Sequence, residues 1–228
     1  MDFNLSDEQK MIYEYGRSLV KSYDRKYWLD CAEHARFPTA MYQQVAKDGF
    51  VGTMVPEAYG GAGLGMTEMA LFNEGLAEQG TPLLSLVVGA TMGLSMIGAH
   101  GSEQQKQQYL PPACAGETRF CFAITEPDAG TNSMRITTIA KPLANGRFSL
   151  SGRKTYITDA GESDYMLLVT RTTPHTEVKR KTDGFTLFIV DTKLAGIEMH
   201  PIAVGVKIPE VQYQIFFDNV DLGPEHVL

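Results

Sequence analysis

The hydrophobic period of this chain changes near Thr118. Before that point apolar residues recur every three or four positions; after it, short runs of β-branched and aromatic residues alternate with turn residues. Such a chain packs helices first and a sheet second. Ser6 precedes Asp7-Glu8-Gln9 with Leu5 ahead of it, an N-cap serine with a glutamine three positions on, and Ile12, Tyr15 and Leu19 follow at helical spacing. The same spacing predicts helices over residues 39–48, 67–79 and 84–99. Ser102-Glu103-Gln104-Gln105 opens another, which Pro111-Pro112 should end at about Leu110.

Beyond Thr118 the predicted strands are residues 119–125, 135–141, 147–151, 154–158, 166–171, 186–191, 197–201 and 211–218. Asn145-Gly146 is a hairpin signal, and residues 172–182, with Lys179-Arg180-Lys181, read as a long solvated hairpin loop. No helix of useful length separates the strands, which disfavours a parallel βαβ sheet. The expected class is therefore α+β, with an all-helical domain over residues 1–117 and an antiparallel β-barrel-like domain over residues 118–228.

Charge narrows the function. With 27 acidic against 20 basic side chains the formal charge is -7, which disfavours DNA or RNA as the main partner. No apolar run reaches the roughly 18–20 residues of a membrane-spanning helix, and the acidic start Met1-Asp2-Phe3-Asn4-Leu5-Ser6-Asp7-Glu8 is unlike a signal peptide. A cytoplasmic location is the resulting expectation. Cys31, Cys114 and Cys121 stand in unrelated contexts, so neither a disulfide framework nor a metal spacing is expected, and the five histidines are scattered.

Two glycine-bearing stretches invite a ligand. Gly60-Gly61-Ala62-Gly63-Leu64-Gly65 lacks both the G-x-G-x-x-G spacing and a Walker lysine, and reads better as a flexible link between helices. Phe122-Ala123-Ile124-Thr125-Glu126-Pro127-Asp128-Ala129-Gly130-Thr131-Asn132-Ser133 is a strand running into a tight turn rich in hydroxyls and amides, suited to a polar or anionic ligand. An ordinary strand-to-loop corner has a similar composition, so its neighbours decide. Val55-Pro56-Glu57-Ala58-Tyr59-Gly60-Gly61, then Gly101 to Lys106 with Tyr109-Leu110-Pro111, then Ile124 to Gly130, then Gly152-Arg153-Lys154-Thr155-Tyr156-Ile157-Thr158 occur in that order. In this the chain resembles the acyl-CoA dehydrogenase family, from the Leu5–Gln9 helix start to Phe216-Phe217-Asp218-Asn219-Val220.

The resemblance implies a helical domain, a β-barrel-like middle domain and a C-terminal four-helix domain that the 228 residues do not reach, so a partial or truncated form is expected. It implies a flavoprotein oxidoreductase of fatty-acid metabolism that binds FAD and oxidises an acyl-CoA thioester to the 2-enoyl-CoA. A base takes the α-proton while the β-hydride moves to flavin N5. An electron-transferring flavoprotein would be the acceptor and the full-length form a homo-oligomer. Carried over position by position, Phe122, Ile124 and Thr125 would line the flavin, with the Thr125 hydroxyl toward the N1/O2 edge. Gly130 and Thr131 would approach the pyrophosphate, Thr131 also touching the thioester ligand. Tyr156, Ile157 and Thr158 would form a second flavin wall, with Thr158 near N5. Plain sheet core is the competing reading for Tyr156 and Ile157, and a backbone-bonded hydroxyl for Thr158.

The chain departs from the family pattern where Asp128 replaces a glycine, Thr131 a serine, Asn132 an aspartate and Tyr156 a tryptophan. Asp128 would either repel a nearby phosphate, by about 1 kcal/mol at a solvated 4 Å, or point to solvent. The family's catalytic glutamate lies beyond Leu228, and Glu126 matches a structural position, so no residue here is named catalytic. Two other readings keep the fold: a non-catalytic flavin- or CoA-binding or interaction module, and a related flavin oxidase or monooxygenase.

Overall fold

The computed structural model describes residues 4–228; the first three residues of the acidic start, Met1-Asp2-Phe3, lie outside them. The chain divides into two compact units, one comprising the described residues to Thr118 with Val206–Glu210, the other Arg119–Gly205 with Val211–Leu228. Val206–Glu210 thus groups with the helices, although it lies in the span assigned from sequence to the β domain. Glu210 is buried there, one carboxylate oxygen accepting from the Ser85 amide at 3.3 Å.

The helical unit contains α1 (Asp7–Ser18), α2 (Arg25–Glu33), α3 (Thr39–Lys47), α4 (Met66–Glu78), a π-helical segment Leu86–Leu94 running into α5 (Ser95–His100), and α6 (Glu103–Cys114). Both expected capping boxes form: the Gln9 amide donates to Ser6 Oγ at 3.1 Å and the Ser6 amide to Gln9 Oε1 at 3.0 Å, with the same exchange at Ser102 and Gln105. Helices α1 and α4 approach so closely that a Cβ on Gly16 would sit 2.5 Å from the Phe72 carbonyl oxygen, and one on Gly75 2.4 Å from that of Tyr13. Phe50 and Phe72 stack at 4.1 Å, with Tyr15 over Phe50 at 5.0 Å.

Sequence spacing missed three things in this unit. Asp24, whose carboxylate accepts from the Tyr27 amide at 2.8 Å, caps α2, a helix absent from the expected set. Helix α6 does not stop at Leu110 but runs through Pro111 and Pro112 to Cys114, because the turn after the prolines bonds to their own carbonyls: Ala115 N to Pro111 O at 3.1 Å and Glu117 N to Pro112 O at 2.9 Å. The expected helix over 84–99 is π-helical in its first half, where the Thr91 hydroxyl donates to the Leu86 carbonyl five residues back.

The second unit is a seven-stranded sheet: β1 (Phe120–Ala123), β2 (Ile139–Pro142), β3 (Phe148–Thr158), β4 (Tyr165–Arg171), β5 (Phe185–Asp191), β6 (Ile197–Ile202) and β7 (Gln212–Leu222). The sheet is mixed, which refines the antiparallel expectation. β2–β3, β3–β7, β6–β7 and β4–β5 are antiparallel, while β4 is parallel to β1 along Tyr165–Leu168 and touches β2 at Arg171. The hairpin at Asn145-Gly146 forms, with Gly146 at φ 79° and the Leu143 amide bonded to the Arg147 carbonyl at 2.8 Å.

Residues from β1, β3, β4, β5 and β7 share one buried cluster, including Cys121, Leu150, Met166, Phe188 and Ile215, so the sheet curls around a core. After β7 the chain bridges Val227 to Phe188 on β5 and donates the Leu228 amide to the Leu187 carbonyl at 3.0 Å, tying the chain's last residues to β5. The two predicted strands 147–151 and 154–158 are one strand with bulges. Gly152 does not break it, because its missing Cβ is needed where Thr138 Cα would lie 2.7 Å away.

Candidate functional site

The Gly60–Gly65 stretch is not a phosphate cradle. Its amides are already spent: Gly61 N on Pro56 O, Ala62 N on Gly52 O, Gly63 N on Val55 O and Leu64 N on Thr53 O, and a Cβ on Gly61 would meet the Val55 carbonyl at 2.0 Å. It is a packed link into α4. The described residues contain no group of three His, Cys, Asp or Glu placed to hold a metal ion. The three cysteines are free and buried.

The stretch 122–133 is built differently. After β1 the chain reverses in a tight turn in which the Glu126 and Ala129 amides and carbonyls pair at 3.2 and 3.1 Å, leaving Pro127-Asp128 at the tip. The Thr155 amide donates to the Thr125 carbonyl at 2.9 Å, so this turn and the bulged part of β3 lie side by side. Below them Glu126 and Lys154, 4 % and 0 % exposed, form an ion pair at 2.9 Å. The other bonds to the Glu126 carboxylate come from the Thr137 amide at 2.7 Å, the Thr137 hydroxyl at 3.0 Å and the Thr138 amide at 3.0 Å. The Lys154 ammonium also donates to the Ile124 carbonyl at 2.8 Å.

Burial raises the Glu126 carboxyl, but the Lys154 charge and the bonds from Thr138 and Thr137 outweigh it and hold it below the usual carboxylate range. Burial pushes the Lys154 ammonium down to about 8, against the pull of Glu126. Both are ionised at neutral pH. Glu126 is a pin that joins β1, the 133–138 segment and β3.

Around this pin the expected ligand residues divide. Phe122 and Ile124 are half-buried and pack with Val169, Phe185 and Leu187 on the face opposite Cys121 and Ala123. Thr125 is half-buried. Gly130 and Thr131 are exposed, and a Cβ built on Gly130 has no atom within 4 Å, so a bulky group can approach the backbone there. Tyr156 is 60 % exposed at φ 55°, held outward by the bulge between Lys154 and Ile157, where β3 carries one residue more than β7. A left-handed tyrosine costs roughly 1–2 kcal/mol, and the sheet on both sides over-determines it.

Ile157 and Thr158 turn inward. The Ile157 side chain is 1 % exposed in the sheet core, so it can present only backbone to a ligand. The Thr158 hydroxyl donates to Gln212 Oε1 at 3.2 Å, leaving its oxygen as an acceptor. Asp128 points away from the turn, its side chain 90 % exposed and paired with Arg153 at 3.3 Å; of the two outcomes weighed for it, the solvent-facing one holds.

The residues that set this geometry but escaped sequence reasoning are Lys154, Thr137, Thr138, Gln212 and Arg171. Arg171 is 1 % exposed with its guanidinium 4.1 Å over Phe185, and it donates to four backbone carbonyls: Ile136, Met134, Lys181 and Asp183. Its place in phase with Leu167 and Val169 on β4 was the available signal.

The family description "Acyl-CoA dehydrogenase, N-terminal domain" matches residues 6–117, and "Acyl-CoA dehydrogenase, middle domain" matches residues 121–220. The chain belongs to the acyl-CoA dehydrogenase family. Among its relatives in that family is acyl-CoA dehydrogenase FadE12 of Mycobacterium tuberculosis, 35% identical over 217 residues, which cover 95% of this chain and 55% of that protein. The fold is similar to a glutaryl-coenzyme A dehydrogenase in complex with glutaryl-CoA (TM-score 0.90, 27% identity, 100% of this chain and 58% of that one). It is also similar to an acyl-CoA dehydrogenase from Bacillus anthracis complexed with FAD (TM-score 0.85, 26% identity, 99% and 38%). This acyl-CoA dehydrogenase family chain spans a little over half the length of the curated relatives it matches.

Proposed function

We propose that the chain supplies the FAD- and thioester-binding face of an oxidoreductase that desaturates an acyl-CoA between its α and β carbons. The observation that carries the reading is the pairing of the 125–131 turn with the bulged end of β3. It sets an open backbone at Gly130, a half-buried Thr125 and an outward Tyr156 around one corner. These residues fit a flavin nucleotide: an aromatic platform, hydroxyls and a stretch without side chain for a diphosphate.

Bound FAD would supply the acceptor for a hydride leaving the β-carbon as a base takes the α-proton. The chain's own residues bind and orient. Phe122 and Ile124 give apolar contact, and Tyr156 gives a ring face. The Thr125 hydroxyl would donate to the polar edge where negative charge develops, which would favour the reduced cofactor. Thr158, its hydrogen committed to Gln212, is left as an acceptor for an N–H. Thr131 and Gly130 would meet the diphosphate, and Thr131 would also meet the substrate. Glu126 is not the base: it is 4 % exposed, both oxygens already accept hydrogen bonds, and Lys154 weakens its basicity. Electrons would leave to an electron-transferring flavoprotein, and the full-length protein would be a homo-oligomer.

The test is to add FAD to the 228-residue chain and then an acyl-CoA thioester. The reading expects a red-shifted, structured flavin spectrum that co-elutes with protein and is perturbed by the thioester. A free-flavin spectrum over a normally folded chain would contradict it.

A further inference from the structure

Thr158 and Gln212 face each other at the end of the antiparallel β3–β7 pairing, and the two residues are 7 % and 8 % exposed. The Thr158 hydroxyl donates across the strands to Gln212 Oε1 at 3.2 Å, and not to backbone of its own segment. A hydroxyl has one hydrogen and an amide carbonyl only accepts, so this bond uses the single donor that Thr158 owns. The corner holds both groups in place. Beside the pair the Asp159 amide donates to the Val211 carbonyl at 2.8 Å, and Gln212 also stands in register with Ile202 of β6. Gly161 lets the Tyr213 ring close over the turn after β3, where a Cβ would sit 2.5 Å from Tyr213 Cζ. Turning the hydroxyl away would leave a buried carbonyl without a partner, so the polarity of Thr158 is set by its neighbour.

We propose that Gln212 is a positioning residue for the flavin chemistry: by holding the Thr158 hydrogen it fixes that hydroxyl as an acceptor, and so selects the reduced over the oxidised cofactor at N5. The inference rests on the flavin reading above, with Thr158 beside N5. In the oxidised ring N5 is an acceptor; once a hydride has arrived with its two electrons, N5 bears a hydrogen and is a donor. A hydroxyl that can only accept sets lone pair against lone pair in the first state and makes a hydrogen bond in the second. A hydroxyl free to turn would serve both states. Gln212 thus acts through Thr158 on the balance between the two cofactor states, in the direction that favours taking a hydride from the substrate.

The experiment measures, on the 228-residue chain without oxygen, the dissociation constant of oxidised FAD and the midpoint potential of bound FAD against a reference dye. The proteins are the wild type, Gln212→Met, Thr158→Val and Thr158→Val/Gln212→Met. Gln212→Met leaves the hydroxyl free to donate to oxidised N5, so oxidised FAD should bind about tenfold tighter with the affinity for reduced FAD unchanged. For a two-electron couple that tenfold is a fall in potential of about 30 mV. In the Thr158→Val background the same change should alter neither quantity by more than about twofold, because Gln212 then has nothing to act through. Gln212→Leu should behave as Gln212→Met, with circular dichroism checking the fold of each. In the cofactor-free chain the carbon-13 resonance of the Gln212 side-chain carbonyl should move upfield in Thr158→Val, a reading that needs no flavin. Unchanged potentials in Gln212→Met and Gln212→Leu, weaker binding of oxidised FAD, the same shift in the Thr158→Val background, or an unmoved carbonyl resonance overturns the proposal while the flavin reading stands. Weaker binding is the sign expected if the Gln212 amide nitrogen donated to Thr158 instead. A wild-type chain that binds no FAD overturns both.

Discussion

Glu126 Oε1 and Lys154 Nζ lie 2.9 Å apart with both side chains removed from solvent, and this pair fixes the spacing between the turn after β1 and the bulged end of β3. Removing one partner leaves a buried charge uncompensated. Glu126→Gln or Lys154→Met should destabilise the β unit by about 3–5 kcal/mol, read as a lower urea midpoint. Glu126→Gln/Lys154→Met should recover part of the loss, and full additivity of the two single changes would contradict the pairing.

The same pair sets an acid limit. The folded Glu126 carboxyl is held below its unfolded value, so its contribution is fully present above the ordinary glutamate range, near pH 4.3, and is lost as pH falls through the lower folded value. Between pH 6 and pH 3 the stability of the wild type should therefore fall more steeply than that of Glu126→Gln. Parallel curves for the two proteins would exclude this linkage.

Tyr156 separates stability from binding. At φ 55° a glycine relieves backbone strain but gains unfolded-state entropy, so Tyr156→Gly should change stability by less than about 1 kcal/mol. FAD affinity should drop at least fivefold, because the exposed ring is gone. A large stability loss with unchanged FAD affinity would mean that the ring is packing and not platform.

Gly61 should not tolerate a side chain. A methyl on Gly61 meets the Val55 carbonyl at 2.0 Å, so Gly61→Ala should cost more than about 2 kcal/mol, as overpacking of a rigid site does. Thermal melts of the variant check this.

Much of the architecture was legible because capping and periodicity are local. Ser6/Gln9 and Ser102/Gln105 announced two helices, and the β-branched runs announced every strand. What escaped depends on pairing across the chain. The continuation of α6 past Pro111 follows from carbonyls of the next turn, and the parallel contacts of β4 follow from β1 and β2 sharing one of its edges. At the site, the 122–133 and 152–158 stretches stood out by motif, but the inward turn of Ile157 and the outward strain of Tyr156 come from a bulge set against β7, which spacing alone does not reveal. Lys154 and Arg171 were missed for a similar reason: a cation in a strand reads as exposed until its partner, Glu126 for one and four backbone carbonyls for the other, is known.

The central claim is that the open backbone at Gly130 receives a cofactor, and the direct measurement is the FAD dissociation constant of the wild type against Gly130→Val, with urea stability recorded on both. Because no protein atom lies within 4 Å of the added Cβ, the account predicts stability within about 0.5 kcal/mol of the wild type and FAD binding weakened at least tenfold. Equal FAD affinity in the two proteins, at equal stability, would contradict it.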